Sequence, residues 1–220
     1  MSTLKRAPEH VGAWYWDLAE LTPQGAEPDV VAATLTAAQG AADILRAHAL
    51  LEATAVEQTW YAPGRGPTGL TSRLSVPETP LGNPEVTERV LGSRPSAFPD
   101  AFIGSMYVRG PGTWFDAGGH ARREPGLVTM WLTPDGSGIS VEVSVHHDIW
   151  RWFDFSGRPH PDVHRRNAPR LANALREITS HYGVEPETGE ATYFGHAVGY
   201  GISADDPDEN GRGLDVTDRL

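Results

Sequence analysis

Alternating apolar and polar residues predict the first β-strand of this chain at residues 11–19. Trp14, Trp16 and Leu18 lie on one side of a two-residue period there. In an extended strand every second side chain points to the same face, so we expect this side to be buried. The same kind of pattern predicts further strands at 59–62, 102–109, 127–132, 139–145 and 192–202.

Apolar residues spaced three and four positions apart predict two long helices and one short helix. The first long helix is expected to begin at Pro28 and to end at about Ala53. A short helix is predicted over 83–92, because an asparagine cap precedes a proline there and a glycine closes the segment. The second long helix is predicted to begin at Asn167 and to end at Gly183.

Helices and strands follow one another without the regular alternation of an α/β fold. We therefore predict the α+β class, with a single mostly antiparallel sheet and two longer helices and one short helix packed on it. The predicted organisation is a flexible N-terminus at 1–10, one domain over 11–203 and an acidic C-terminal tail at 204–220.

Composition narrows the possible functions. The 220 residues include 29 acidic and 18 basic side chains, and the net charge of −11 argues against nucleic acid as a ligand. The chain has no cysteine, which excludes disulfides, zinc–thiolate sites and a cysteine nucleophile. No apolar run approaches the ~20 residues of a membrane span. Because Met1–Glu9 lacks the apolar stretch of a secretion signal, we expect a cytoplasmic location without membrane contact.

One glycine motif matches a cofactor pattern only superficially. Gly64–Gly69 fits G-x-G-x-x-G, but dinucleotide binding requires a helix directly after the motif. The next residues have no helical periodicity, and Pro77 and Pro80 follow. Lys5 is the only lysine, so a phosphate-binding lysine motif is also missing. We therefore predict a loop at the motif and no cofactor.

Histidine and aspartate are concentrated between residues 146 and 164, which raises the alternative of a divalent metal. The candidate ligands are His147, His160, Asp162 and His164, together with His146. Pro159 and Pro161 place His160 in a turn rather than on a strand, which disfavours a metal site. We therefore expect no metal and no catalysis, with a metal-dependent hydrolase or oxygenase as the alternative.

An aromatic and acidic segment is the candidate partner site. Trp150 and Trp152 alternate with Asp148 and Asp154, and exposed tryptophan is a favoured anchor in protein interfaces. The acidic residues of the C-terminal tail would attract a basic protein, and the candidates there are Asp205, Asp206, Asp208 and Glu209. These residues predict a binding surface for a basic protein.

The segment Gly12–Ala13–Trp14–Tyr15–Trp16, followed by a long helix, resembles small immunity proteins that neutralise bacterial toxins. The resemblance covers about fifty residues and implies a cytoplasmic inhibitor of a toxin. Our leading hypothesis is therefore a non-catalytic protein-binding module of this kind. A small-ligand pocket formed by Trp14, Trp16 and Tyr200 is a third possibility.

Overall fold

A seven-stranded antiparallel sheet is the centre of the molecule, as seen in a computed structural model that describes residues 4–23, 25–135, 138–203 and 206–220. Its strand order is β3-β2-β4-β7-β8-β1-β9. These strands are β1 (Gly12–Asp17), β2 (Ala55–Ala62), β3 (Gly66–Ser75), β4 (Phe102–Arg109), β7 (Val128–Asp135), β8 (Gly138–Val145) and β9 (Glu187–Thr188). Two small hairpins complete the strands: β5 (Pro111–Phe115) with β6 (Ala121–Pro125), and β10 (Ala197–Val198) with β11 (Gly201–Ile202).

Three α-helices lie on one face of this sheet: α1 (Glu27–Ala47), α2 (Pro84–Gly92) and α3 (Pro161–Tyr182). Trp16 on β1 donates its indole N–H to Thr179 on α3 at 3.2 Å. Gln58 on β2 donates to Ser93, directly after α2. The phenol of Tyr182 on α3 donates to the Ala37 carbonyl of α1 at 2.9 Å. The α+β prediction, with one mostly antiparallel sheet and its helices, is thereby confirmed.

The main core lies between the helices and this face. It contains the inward residues of the central strands, among them Trp14, Met106, Met130 and Val143. Burial of such side chains is the main source of stability, at roughly 25 cal/mol for each Å² of apolar surface. The opposite face has no α-helix on it among the described residues.

The glycine motif forms the turn between β2 and β3. Gly64 and Gly66 have φ of 69° and 80°, and such left-handed values favour glycine because it has no β-carbon. A ten-residue strand follows the turn. The strand was not predicted, because Gly66, Pro67 and Gly69 are typical of loops. A strand in place of a helix leaves no helix N-terminus for a pyrophosphate.

Other segments differ from their predictions, and the first long helix ends at Ala47 instead of at about Ala53. The helix expected to begin at Asn167 begins at Pro161, and Pro169 lies within it. Residues 192–202 were expected to form one strand but contain only the short β10–β11 hairpin. Gly195 and Gly199 have φ of 147° and 55°, so the chain there turns repeatedly instead of remaining extended.

A second, smaller hydrophobic cluster contains residues from both terminal segments of the chain. Its buried members are Ala7, Val11, Phe155, Phe194 and Val216. The Ala7 N–H donates to the His146 carbonyl at 2.8 Å, and the Val216 N–H donates to the Phe155 carbonyl at 2.9 Å. The segment predicted as a flexible N-terminus and the segment predicted as an acidic tail therefore each contribute one buried side chain.

Candidate functional site

The helix-free face of the main sheet, which we call the open face, carries a continuous row of aromatic and acidic side chains. The strand register places these residues directly opposite one another, and directly opposite residues in antiparallel strands share a face. The row, which we call the aromatic–acidic row, is Glu57 (β2), Tyr107 (β4), Trp131 (β7), Glu142 (β8) and Tyr15 (β1). Five strands thus bring together residues that are far apart in the sequence.

Tyr107 and Trp131 stack in the middle of this row. Their rings are nearly parallel, at 9°, with centroids 6.0 Å apart. Trp131 is 36% exposed, which is a large fraction for a tryptophan in a central strand. The guanidinium of Arg109 lies 4.5 Å from the centroid of the Tyr107 ring and 3.6 Å from a carboxylate oxygen of Glu57. Arg109, Tyr107 and Glu57 therefore form a cation–aromatic–carboxylate group on the open face.

Glu142 is the most buried charged residue of the row. It is 8% exposed, and its Oε2 has no hydrogen-bond partner. Burial raises the pKa of the Glu142 carboxyl, while the Ser144 hydroxyl and His10 act in the opposite direction. Thr129 lies diagonally across from Glu142 on β7, and its buried hydroxyl also has no partner. Unpaired buried polar groups cost free energy, so the two groups indicate a place where a ligand group can bind.

A second aromatic pair lies on the same face, where β2 ends and β4 begins. Tyr61 and Phe102 are opposite each other, with ring centroids 6.0 Å apart, and Phe102 is exposed. Gly104 makes room for this pair, since a β-carbon there would come 2.2 Å from the Tyr61 ring. The exposed aromatic surface therefore continues beyond the aromatic–acidic row.

The segment predicted as the partner site is mostly part of the interior. Trp150 is 0% exposed, and the Asp148 carboxylate accepts the Phe155 N–H at 3.1 Å. Asp154 accepts the backbone N–H groups of Ser156 and Arg158. Trp152 is 39% exposed and contacts the edge of His164. Trp150 therefore packs in the core because the short helix at 148–150 turns it inward, and only Trp152 presents a large apolar surface.

The acidic C-terminal residues lie on the surface. Asp206, Asp208 and Glu209 are exposed, and Asp205 lies outside the described residues. A shallow groove of about 600 Å³ is lined by Asp206 and Asp208 together with Arg212. The Asp208 carboxylate accepts the N–H groups of Asn210 and Arg212, both at 2.8 Å, which lowers its pKa. Asp208 therefore has a local structural role in this loop.

The candidate metal ligands point to different partners. His160 donates a ring N–H to the Arg151 carbonyl at 2.9 Å, and Asp162 pairs with Arg165 on the surface of α3. His164 contacts Trp152, while His147 is buried and burial lowers its pKa to about 4. Within the described part of the chain, no three histidine, aspartate or glutamate side chains converge in a metal-binding arrangement.

The proposed ligand-pocket tryptophans belong to the core. Trp14 and Trp16 are fully buried, and the Trp14 indole donates to the Gly199 carbonyl at 2.6 Å. The phenol of Tyr200 donates to the Glu185 carboxylate at 2.9 Å, in an exposed position. The three residues do not line a common cavity among those found in the described structure.

Another groove, with a volume of about 680 Å³, lies near the end of α1 and beside the start of β5. Two non-glycine residues with positive φ line it, Ala49 and Glu78. Its charged rim is mostly paired internally, because Arg46 bonds Asp43 and Arg123 bonds Glu52. The groove therefore presents few free groups to a ligand.

Comparison with protein-family models gave no match. Searches of curated proteins and of solved structures also gave no match. No helix in the described ranges combines the length and the apolar character that crossing a membrane requires. The site must therefore be interpreted from its own chemistry.

Proposed function

We propose that this chain is a non-catalytic protein-binding module, and that the helix-free sheet face binds a basic protein. The observation that carries the proposal is the aromatic–acidic row, with Trp131 exposed at its centre and stacked on Tyr107. Tryptophan, tyrosine and arginine are the residues most enriched among binding hot spots, and all three meet here. A sheet face also suits a large protein surface better than a small ligand, which favours a concave pocket.

Charge supports a basic partner. Of the described strand residues on this face, four are acidic and two are basic: Asp17, Glu57, Glu142 and Glu187 against Arg73 and Arg109. The whole chain carries a formal charge of −11, so its long-range field attracts positively charged proteins. Electrostatic attraction of this kind mainly accelerates association, and it weakens as salt is added.

The kind of partner follows from the resemblance of the first strand and helix to small immunity proteins. An inhibitor of this class is a cytoplasmic protein of a bacterium, and it binds a toxin tightly without performing chemistry. In our proposal the basic partner is such a toxin, and the open sheet face blocks it.

The test is a capture experiment with tagged protein in cells of the source organism. We expect wild type to recover one basic protein at near-stoichiometric level, and Trp131→Ala to lose it. Trp152→Ala is the matched control, since Trp152 is 39% exposed against 36% for Trp131 but lies in the 148–154 segment. The proposal would be contradicted if wild type recovered no such partner. It would also be contradicted if Trp152→Ala lost the partner while Trp131→Ala still bound it.

The immunity role has its own test. The recovered partner is expressed alone in a bacterial host, with growth as the measurement. We expect growth inhibition that wild type relieves and Trp131→Ala does not relieve. A partner that leaves growth unchanged would rule out the inhibitor role, although binding by the open face would stand.

A further inference from the structure

On the open face, an aromatic ring and a carboxylate together bind the guanidinium of an arginine from the same chain. Tyr107 on β4 lies directly opposite Glu57 on β2, and Arg109 is two residues after Tyr107 on the same face. Its guanidinium lies over the Tyr107 ring at 4.5 Å and 3.6 Å from the Glu57 carboxylate. The guanidinium is thus held by an aromatic ring and a carboxylate at once.

The neighbouring strands repeat the ring and the carboxylate without the cation. Trp131 on β7 lies directly opposite Glu142 on β8, and Tyr15 on β1 lies opposite Glu142 from the other side. Val108 lies opposite Met130, so the next residue of β4, Arg109, lies beside Thr129 of β7. Thr129 thus occupies the position where a second arginine would be expected, and its hydroxyl has no hydrogen-bond partner. The second group is therefore a ring–carboxylate–ring arrangement with no positive charge in it.

A neighbouring histidine does not complete the arrangement. His10 lies near enough to Glu142 to lower its pKa, but its Nε2 is bonded to the Glu190 carbonyl at 3.0 Å. The Glu142 Oε2 remains without a donor. A buried carboxylate oxygen without a donor has lost its hydrogen bonds to water and has no protein hydrogen bond to replace them. A charged donor placed next to it would therefore form a strong hydrogen bond.

We propose that the partner inserts an arginine side chain beside Glu142, with its guanidinium against the Trp131 ring and its N–H groups on the Glu142 carboxylate. This inference rests on the proposed function, because it assigns the central contact of the same face. Arginine fits better than lysine, since a guanidinium is planar, stacks on aromatic rings and donates in a fork that matches a carboxylate.

Access to the carboxylate requires a small movement of one ring. Glu142 is 8% exposed, and its cross-strand neighbours on both sides are aromatic. Trp131 is the ring that can move, because it is considerably exposed, whereas Tyr15 is half-buried. Changes of side-chain rotamer of this size are common when protein interfaces form.

The test uses three seven-residue peptides that are identical except for a central arginine, lysine or citrulline. Citrulline has the shape of arginine without its charge. Binding to the full-length protein is followed by the shift of the indole N–H resonances in NMR spectra, assigned with Trp131→Phe. We expect the arginine peptide to shift the Trp131 signal in a saturable way, and the citrulline peptide to cause no saturable shift. The lysine peptide should bind more weakly.

Glu142→Gln should weaken binding of the arginine peptide about tenfold, because the substitution replaces a charged hydrogen-bond acceptor by a neutral one. Glu88→Gln on α2 is the matched control, because it makes the same change of charge at an exposed site on the helix side. Circular dichroism checks that both variants fold. Equal binding of the arginine and citrulline peptides, or equal affinity of Glu142→Gln and wild type, would overturn the inference.

The outcomes for this inference and for the proposed function are separable. Suppose that the arginine peptide does not bind but Trp131→Ala still abolishes capture of the partner. The open face then binds its partner without an inserted arginine, and only the present inference is wrong. If the arginine peptide binds through Glu142 but no protein partner depends on Trp131, the arginine site stands and the protein-binding function falls.

Discussion

The carboxylate of Glu142 and the phenol of Tyr15 face each other across β8 and β1 on the open face of the sheet. Burial raises the pKa of Tyr15, and the negative charges of Glu142 and Glu190 raise it further. Burial likewise raises the pKa of Glu142. The chain therefore keeps two ionisable groups where their charged forms are disfavoured, a feature of many functional sites.

Glu142→Gln should stabilise the protein more at pH 7 than at pH 4. The raised pKa means that folded Glu142 holds its proton to a higher pH than unfolded Glu142 does. The contribution of Glu142 to the stability of wild type therefore decreases as pH rises through that interval, whereas glutamine does not titrate. The measurement is the free energy of unfolding in urea for wild type and variant at both pH values. Glu88→Gln is the control for the loss of one carboxylate at an exposed site. An equal effect of Glu142→Gln at both pH values would contradict the prediction.

Acid should destabilise the fold through His146 and His147. Burial, together with the positive charge of Arg6, lowers the pKa of each to about 4. The folded state then binds fewer protons than the unfolded state between about pH 4 and pH 6.5, so stability is lost as pH falls through this range. Each histidine contributes a slope of up to about 1.4 kcal/mol per pH unit.

Urea unfolding of wild type, His147→Gln and His196→Gln at pH 7 and pH 5 tests this account. The loss of stability between the two pH values should be smaller in His147→Gln than in wild type. His196→Gln is the control for the loss of one histidine at an exposed site. An unchanged loss in His147→Gln would exclude His147 as a source of the acid sensitivity.

Much of the fold was predictable because its signals are local. The hairpin of β7 and β8 has alternating strands around a turn sequence, and α2 has Asn83 as a cap whose side chain accepts the Glu85 N–H at 2.9 Å. Each signal lies within a few residues. By contrast, β3 contains glycine and proline, and pairing with β2 outweighs their weak strand propensity.

The aromatic–acidic row was missed for a different reason. Tyr15, Tyr107, Trp131 and Glu142 each occupy the outward position of a separate strand, and no local pattern connects them. Strand register alone brings them together, and strand order does not follow sequence order here. The available signal was an aromatic residue on the polar side of several predicted strands. The 146–164 segment attracted the site prediction instead, because sequence density does not show which side chains are buried.

Asn167→Ala should destabilise the protein by about 2–4 kcal/mol. The fully buried Asn167 side chain joins α3 to β5: its Oδ1 accepts the Phe115 N–H at 2.9 Å, and its Nδ2 donates to the carbonyls of Phe115 and Val163, both at 2.8 Å. Truncation removes all three of these part-buried hydrogen bonds. Thermal or urea unfolding provides the measurement.

Asn173→Ala is the matched control on the same helix. Asn173 is exposed and accepts one bond from Arg176, at 3.0 Å. Its loss should change stability by no more than about 0.5 kcal/mol. If Asn167→Ala changed stability as little as Asn173→Ala does, the contact between α3 and β5 would not depend on the buried amide.

Gly110→Ala should destabilise the fold by about 3 kcal/mol or more, because the backbone has no room for a β-carbon. Position 110 connects β4 to β5, and an added β-carbon would come 1.7 Å from the carbonyl oxygen of Glu52. That carbonyl belongs to backbone, and the adjacent Glu52 N–H is bonded to the Pro111 carbonyl at 2.8 Å, so neither chain segment can move independently. Gly92→Ala is the control, since nothing lies within 4 Å of a β-carbon there. In urea unfolding Gly92→Ala should be neutral or slightly stabilising, and a Gly110→Ala variant as stable as wild type would show that these two segments can separate.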